Sequence, residues 1–313
     1  MIPSRLIKSL ATSANTAIDM VLRNGAPGQT TPTGEVGFVA AVTLGGVYDI
    51  AAAWTPILNP HGYSVKISGV FCHQSPKATF TDIHSNVVSC ELADLLVVVE
   101  DHTGGSLGRR WAALVQAKMA AIGGGQKLTQ PGDLRQLDLL TRWPSFSLPS
   151  NYTAGKRDFS TCSYAGSTLD CGRYGLIAKQ PNPGWHQQAP AAAMPAGGDR
   201  LGTFLANMVE VGQVGYGREA TGLGDDWSQT VDELMTRTHA RFFNYASGFP
   251  GRQKRGHSAL AMPAAVAPGP FSPFSYFYHG GMPPPSGGRP DGPTEEEPDE
   301  AISVLRIGIG RNE

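Results

Sequence analysis

Three polar residues, Asp94, Gln116 and Lys118, stand where their side chains could act together on one substrate. Residues 95–99 and 111–115 are branched apolar runs, and the glycines between them allow a tight hairpin turn. In an antiparallel hairpin, the numbers of paired residues sum to a constant. A turn centred on these glycines therefore places Asp94 opposite Gln116 or Lys118, and opposed residues share one face of the sheet. Gln116 and Lys118 are two positions apart and share that face as well.

A carboxylate, an amide oxygen and an ammonium group at one place are suited to hydrolysis of a phosphodiester bond. That reaction needs a divalent metal, an activated water, and neutralisation of the charge that builds on the phosphate. Asp94 offers an anionic ligand, and Gln116 and the main-chain carbonyl of Ala117 offer neutral ones. Mg²⁺ suits such a set because it binds few protein oxygens and keeps several waters; Mn²⁺ is the alternative. Lys118 would orient the water or stabilise the phosphate charge.

The second acidic ligand is Glu35 or Glu91. Residues 35–54 are almost entirely apolar, and their length predicts a buried helix with Glu35 in its first turn and Thr33 as its N-cap. Glu35 would then either interact with the helix dipole or face the metal. Glu91 is nearer in sequence, but a residue three positions before Asp94 on a strand faces the opposite side of the sheet. We therefore predict Glu35 as the second metal ligand.

Two further polar residues, Gln136 and His73, are candidate nucleic-acid contacts. Residues 133–142 have a helical apolar pattern with Asp133 as the N-cap candidate. Gln136 on this helix either meets solvent or faces the substrate. His73 follows a predicted strand at residues 63–72, and it either lies in a surface loop or reaches a phosphate or a base.

Asp94, an apolar strand, and then Gln116-Ala117-Lys118 on the next strand resemble the motif of the PD-(D/E)xK nuclease superfamily. The pattern is similar to the variant with glutamine in place of the usual acid, as in Mrr-like and RecB-like restriction and repair nucleases. The resemblance covers residues 33–180, in the order helix, three strands, helix, strand. It implies an α/β fold with a restriction-endonuclease-like α-β-β-β-α-β core and a mixed central sheet. It also implies catalytic roles for Asp94, Gln116, Lys118 and Glu35, and it matches Gln136 to the polar residue on the following helix.

Composition divides the chain into five predicted parts. Residues 1–32 contain an amphipathic helix and a linker, and residues 33–180 form the nuclease-like core. Residues 181–261 carry two helical patterns and are predicted as a helical lobe. Residues 262–300 are rich in proline, glycine and acidic residues, which is typical of a flexible segment. Residues 301–313 return to a strand pattern, and such a strand usually joins an existing sheet or a partner.

The composition of the 313 residues predicts a cytoplasmic protein. A net charge of -1 excludes a basic, non-specific nucleic-acid coat but allows a local DNA site, and 41% apolar residues can form a sizeable core. Reduced thiols are favoured over a Cys162–Cys171 disulfide because nothing else indicates export. The N-terminus lacks an apolar signal-peptide core. The sequence contains no run of about 18 uncharged apolar residues, so we predict no membrane span.

Three functions fit these patterns. We favour a metal-dependent endonuclease that hydrolyses DNA, for example as the nuclease effector of a bacterial defence system. The second is a non-catalytic nuclease-fold subunit that binds nucleic acid or assembles a larger defence complex. The third is an α/β domain without a site, in which Asp94 and Lys118 form an edge ion pair. A free nuclease would be toxic, so we expect control by a regulatory protein partner, a ligand or homo-oligomerisation.

Overall fold

The computed structural model describes residues 2–25, 31–72, 75–103, 106–121, 125–161, 168–178, 183–210, 215–222, 224–239, 260–265 and 301–311. The helices in this part of the chain are α1 (Ser4–Asn24), α2 (Gly34–Ala41), α3 (Val47–Leu58), α4 (Pro131–Arg142), α5 (Leu201–Val209) and α6 (Asp226–His239). The first seven strands are β1 (Tyr63–Phe71), β2 (Lys77–Thr81), β3 (Val87–Glu91), β4 (Leu95–Thr103), β5 (Ser106–Met119), β6 (Gln126–Lys127) and β7 (Phe146–Ser147). The remaining strands are β8 (Lys156–Arg157), β9 (Gly172–Ala178), β10 (Gly184–Gln188), β11 (Ala193–Met194), β12 (Asp199–Arg200), β13 (Arg218–Glu219), β14 (Leu260–Ala265) and β15 (Ser303–Arg311).

A mixed sheet organises the fold, with strand order β12-β10-β9-β5-β4-β15-β1-β14 and β13 beside β5. β4 and β5 form an antiparallel hairpin, whereas β9 runs parallel to β5 and β15 runs parallel to β4. A second, smaller sheet has the order β3-β2-β7-β8. The predicted α/β class with a mixed central sheet is confirmed.

The C-terminal strand β15 lies in the middle of the large sheet. It pairs antiparallel with β1 and parallel with β4, so β1 and β4 are not neighbours. The predicted succession of helix, three strands, helix and strand is present along the chain, but β15 separates the first of those strands from the second. The sequence predicts a returning strand; its place in the sheet depends on long-range pairing that local patterns do not encode.

The hairpin strands are apolar at consecutive positions because both faces of the sheet are covered. Leu95, Val97 and Val99 of β4 pack in one core cluster with residues of α1, α2, α3 and α5. The even-numbered residues Leu96 and Val98 pack in the other with residues of α4, α6 and the small sheet. The two helices of the region predicted as a lobe therefore lie on opposite faces of one sheet. Residues 184–188, which also belong to that region, add β10 to the same sheet.

The apolar stretch predicted as one buried helix is helical from Gly34 to Leu58, with a π-helical turn at Val42–Gly46. This turn lies against β1: a Cβ added at Gly69 would be 1.8 Å from the carbonyl oxygen of Thr43. Glycine at this position therefore permits the close approach of helix and strand. The stretch Gly34–His61 is long and apolar enough to cross a membrane, but 67% of its most apolar window is buried inside the fold, as in a core helix of a soluble protein.

Several local predictions need correction or stay untested. α4 begins at Pro131 after Gln130, so Asp133 lies in its first turn and is not the N-cap. His73 and Cys162 lie outside the described residues, as do residues 266–300. The domain boundaries stay predictions.

Candidate active site

The hairpin register brings Asp94 and Gln116 together. Leu95 pairs with Val115. The same register places Asp94 opposite Gln116, which is one of the two partners that the sequence predicts. The Asp94 main-chain N–H donates to the Val115 carbonyl at 3.0 Å, which holds Asp94 at the start of the strand. Successive side chains of a strand point to opposite faces, so Gln116 and Lys118 share one face, and their contacts with Gln136 and Asp133 show that α4 covers it.

The carboxylate of Asp94 is held by two donors of β5. Its Oδ2 accepts a hydrogen bond from the main-chain N–H of Ala117 at 2.7 Å and another from Gln116 Nε2. No described residue hydrogen-bonds to Asp94 Oδ1. One carboxylate oxygen is thus fixed by the protein, and the other remains available to a ligand.

Gln136 continues this hydrogen-bond chain from α4. Its Nε2 donates to Gln116 Oε1 at 3.0 Å, and both glutamines are buried. The chain therefore runs from Gln136 through Gln116 to Asp94, and Gln136 is not a solvated surface residue. In this arrangement Gln116 turns its nitrogen, not its oxygen, toward Asp94.

Lys118 forms its ion pair with Asp133 rather than with Asp94. Its Nζ lies 2.8 Å from Asp133 Oδ1, and its side chain is only 11% exposed. Burial acts to lower the pKa of Lys118, but the Asp133 hydrogen bond and the charges of Glu35, Asp133 and Asp94 outweigh it and raise that pKa. Lys118 is therefore a cation within a group of carboxylates.

Two acids, Glu35 and Glu91, act on Asp94 electrostatically. Glu35 Oε1 accepts a hydrogen bond from the Met119 main-chain N–H at 3.1 Å, so the first turn of α2 reaches the end of β5. Glu91, at the end of β3, is exposed. Burial, followed by the charges of Glu91 and Glu35, raises the pKa of Asp94 to about 7, against the opposing effects of the Ala117 N–H and Lys118. Both glutamates are therefore close enough to influence Asp94 electrostatically.

The donor set suits Mg²⁺ better than a soft metal. Asp94 and Glu35 each use one carboxylate oxygen in the hydrogen bonds above, and no described residue hydrogen-bonds to the other one. Within the described ranges, no group of three or more His, Cys, Asp or Glu residues is placed to hold a metal. A Mg²⁺ ion would thus rely on two carboxylates, neutral oxygens and water, which is its usual coordination. Gln116 would contribute its oxygen only after its amide turns over.

Sequence reasoning missed two residues of this region. Asp133 lies three positions before Gln136, and that helical spacing places both on one face, which was a usable signal. Tyr174 in β9 pairs with Gln116, and the carboxylates of Asp133 and Asp94 act on its hydroxyl electrostatically. The parallel register that brings Tyr174 there follows a long crossover, so no turn arithmetic predicts it.

Comparison with protein families, with curated proteins and with solved structures finds no match to this chain. The candidate site is therefore interpreted from its own geometry and from the motif resemblance.

Proposed function

We propose that this protein is a metal-dependent endonuclease that hydrolyses DNA phosphodiester bonds, with a restriction-endonuclease-like core. The observation that carries the proposal is the meeting of Asp94, Gln116 and Lys118 on one face of the hairpin, at the end that Glu35 reaches. Carboxylates outnumber cations there, and that imbalance favours binding of a metal cation.

The surroundings of each side chain support a separate role. The free oxygens of Asp94 and Glu35 would hold Mg²⁺ or Mn²⁺, which supplies an activated water and charge neutralisation at the phosphate. Lys118 lies within the same group and would orient the attacking water or stabilise the charge on the phosphate. Gln136 would fix the orientation of Gln116 through the hydrogen bond between their amides.

The geometry disfavours an α/β domain whose Asp94 and Lys118 merely form an edge ion pair. The hydrogen bond of Gln116 and the ion pair of Lys118 both reach α4, so the two residues share a face. The cation of Lys118 pairs with Asp133, and Lys118 is largely buried instead of lying at an exposed edge.

One feature favours the alternative of a non-catalytic nuclease-fold subunit. Gln116 turns its nitrogen to Asp94, and Asp133 holds Lys118, so both side chains already have protein partners. A subunit that only binds nucleic acid, or assembles a defence complex, would keep these contacts permanently. A nuclease must exchange them when metal and DNA bind.

A cleavage assay on supercoiled plasmid DNA separates these functions. We expect nicking with Mg²⁺ or Mn²⁺ by the wild-type protein and loss of nicking in D94N and K118M. The control D19N, which removes the ion pair between Asp19 of α1 and Arg200 of β12, should keep full activity. Equal cleavage by all four proteins would remove this site from the reaction. Binding of DNA without cleavage by the wild type, across several metals and substrates, would favour the subunit.

The cellular setting is a further part of the proposal and rests on the resemblance to restriction nucleases. We propose a cytoplasmic effector of bacterial defence, controlled by a protein partner or by homo-oligomerisation. Metal-dependent plasmid cleavage whose rate per molecule changes neither with protein concentration nor with added cell lysate would contradict that control and leave the nuclease assignment intact.

A further inference from the structure

Tyr174 lies beside the candidate site with a buried hydroxyl that has no hydrogen-bond partner among the described residues. It pairs with Gln116 across the parallel β5–β9 ladder, and its side chain belongs to the core cluster on the α4 face. The side chain is fully buried, and its oxygen makes no hydrogen bond to any residue in the described part of the chain.

The groups that act on this hydroxyl come from three elements around the site. They are Asp133 on α4, Cys90 on β3 and Asp94 at the start of β4. Burial, followed by these groups, raises the pKa of Tyr174 well above its usual range, so the hydroxyl stays protonated and can donate. Burial raises the pKa of the Cys90 thiol to about 12 as well, so no thiolate competes for the proton.

Packing alone does not explain the hydroxyl. A buried donor without an acceptor is unfavourable, and a phenylalanine of the same shape would fill the same volume without that penalty. The neighbouring carboxylates are near enough to act on the hydroxyl by charge but do not hydrogen-bond to it. An oxygen atom that enters between them would satisfy the donor.

We propose that Tyr174 is a positioning residue of this site, whose hydroxyl donates a hydrogen bond to an oxygen of the ligand bound between Asp94 and Asp133. The inference rests on the proposed nuclease function. The acceptor is an oxygen atom, which belongs either to a water bound to the metal or to the substrate phosphate. The site is then supported by the β4–β5 hairpin, by α4 and, through Tyr174, by a third strand, β9.

The test compares Y174F with the wild type and with Y216F. The Tyr216 hydroxyl donates a hydrogen bond to Asp199 at 2.8 Å, and its ring contacts Phe204 in the opposite core cluster. Y216F is therefore the matched control: it removes the same group, but one that is hydrogen-bonded and lies away from the site. Three quantities are measured for each protein: the urea midpoint of unfolding without metal, the Mn²⁺ dissociation constant, and the DNA dissociation constant in Ca²⁺.

We expect Y174F to keep or raise the urea midpoint while it weakens one of the two binding constants about tenfold. Weaker Mn²⁺ binding identifies a metal-bound water as the acceptor, and weaker DNA binding alone identifies the phosphate. Y216F should lower the midpoint and leave both constants unchanged.

Three other outcomes overturn the inference. Wild-type binding constants in Y174F, with wild-type plasmid cleavage, would make Tyr174 a core residue and leave the proposed function standing. A clearly lowered urea midpoint in Y174F would mean that the hydroxyl has a structural partner in the folded protein. If the wild type binds neither Mn²⁺ nor DNA, the proposed function falls, and this inference falls with it.

Discussion

The ammonium group of Lys118 lies 2.8 Å from the carboxylate of Asp133, across the contact between the end of β5 and the first turn of α4. If Lys118 stabilises charge on the phosphate, replacing Lys118 should reduce the cleavage rate strongly. Replacing its ion-pair partner Asp133 should reduce the rate less. We expect K118M to reduce single-turnover cleavage by about 100-fold or more, and D133N, which keeps a hydrogen-bond acceptor, by about tenfold. Equal losses in both variants, or a larger one in D133N, would assign the essential role to Asp133.

The raised pKa of Asp94 predicts a pH-dependent stability of the protein in EDTA. The pKa rises from 3.8 to about 7 on folding, so the folded state holds this proton more tightly than the unfolded chain. The stabilisation from protonated Asp94 is complete below about pH 4 and disappears as the pH rises through about 7. D94N lacks this titration, and Asn can still accept from Ala117 and Gln116.

Urea unfolding of both proteins between pH 4.5 and 8 measures the effect. We expect the stability of D94N relative to the wild type to increase by at least about 1 kcal/mol over that range. Parallel pH profiles would show that Asp94 is ordinarily ionised in the folded protein.

Gln116 donates to Asp94, and a glutamate at this position could not. When both acids are ionised, Q116E would bring two carboxylates together with no cation between them. We expect Q116E to lose about 1–3 kcal/mol of stability in EDTA and to regain most of it in Mn²⁺, with tighter Mn²⁺ binding than the wild type. Q116M, which removes the hydrogen bonds without adding charge, is the control and should be destabilised with or without Mn²⁺. The absence of any Mn²⁺ rescue in Q116E would count against a metal at Asp94.

Glu100 fixes the C-terminal strand within the sheet. This fully buried carboxylate of β4 accepts from Arg306 Nε on β15 at 2.7 Å and from Arg110 Nε on β5 at 2.9 Å. Burial acts to raise the pKa of Glu100, but the two arginines outweigh it and lower that pKa. Its contribution to stability is therefore present above the usual glutamate pKa of 4.5 and is lost as the pH falls through the lower folded value.

E100Q would remove the anion that Arg306 and Arg110 share, and among the described residues Arg110 would keep only its ion pair with Asp232. We expect it to cost about 3 kcal/mol of unfolding free energy at pH 7, because one partner of a buried ion pair is removed. The surface pair of Arg142 and Asp138 on α4 provides the control, and D138N should cost about 0.5 kcal/mol. The deficit of E100Q should shrink in acid below about pH 4; a deficit independent of pH would refute the charge-based account.

The hairpin of the candidate site could be predicted from the sequence because its register is local. The turn glycines and two apolar runs limit the partner of Asp94 to Gln116 or Lys118, and the observed register selects Gln116. The insertion of β15 between β1 and β4 could not be predicted, since strand order depends on contacts across more than 200 positions. The ion partner of Lys118 was missed because Asp133 was assigned to capping, although its helical spacing to Gln136 pointed to the same face.

The most direct test of the central claim is a crystal of the wild-type protein soaked in Mn²⁺ and examined by anomalous scattering. The account predicts one Mn²⁺ ion coordinated by the carboxylates of both Glu35 and Asp94, with Gln116 turned to present its oxygen. The same soak of D94N should lose the ion, and a soak of E91Q should keep it. An ion bound by Glu91 in place of Glu35, or no ion at Asp94 in Mn²⁺ that saturates other sites, would contradict the proposed metal centre.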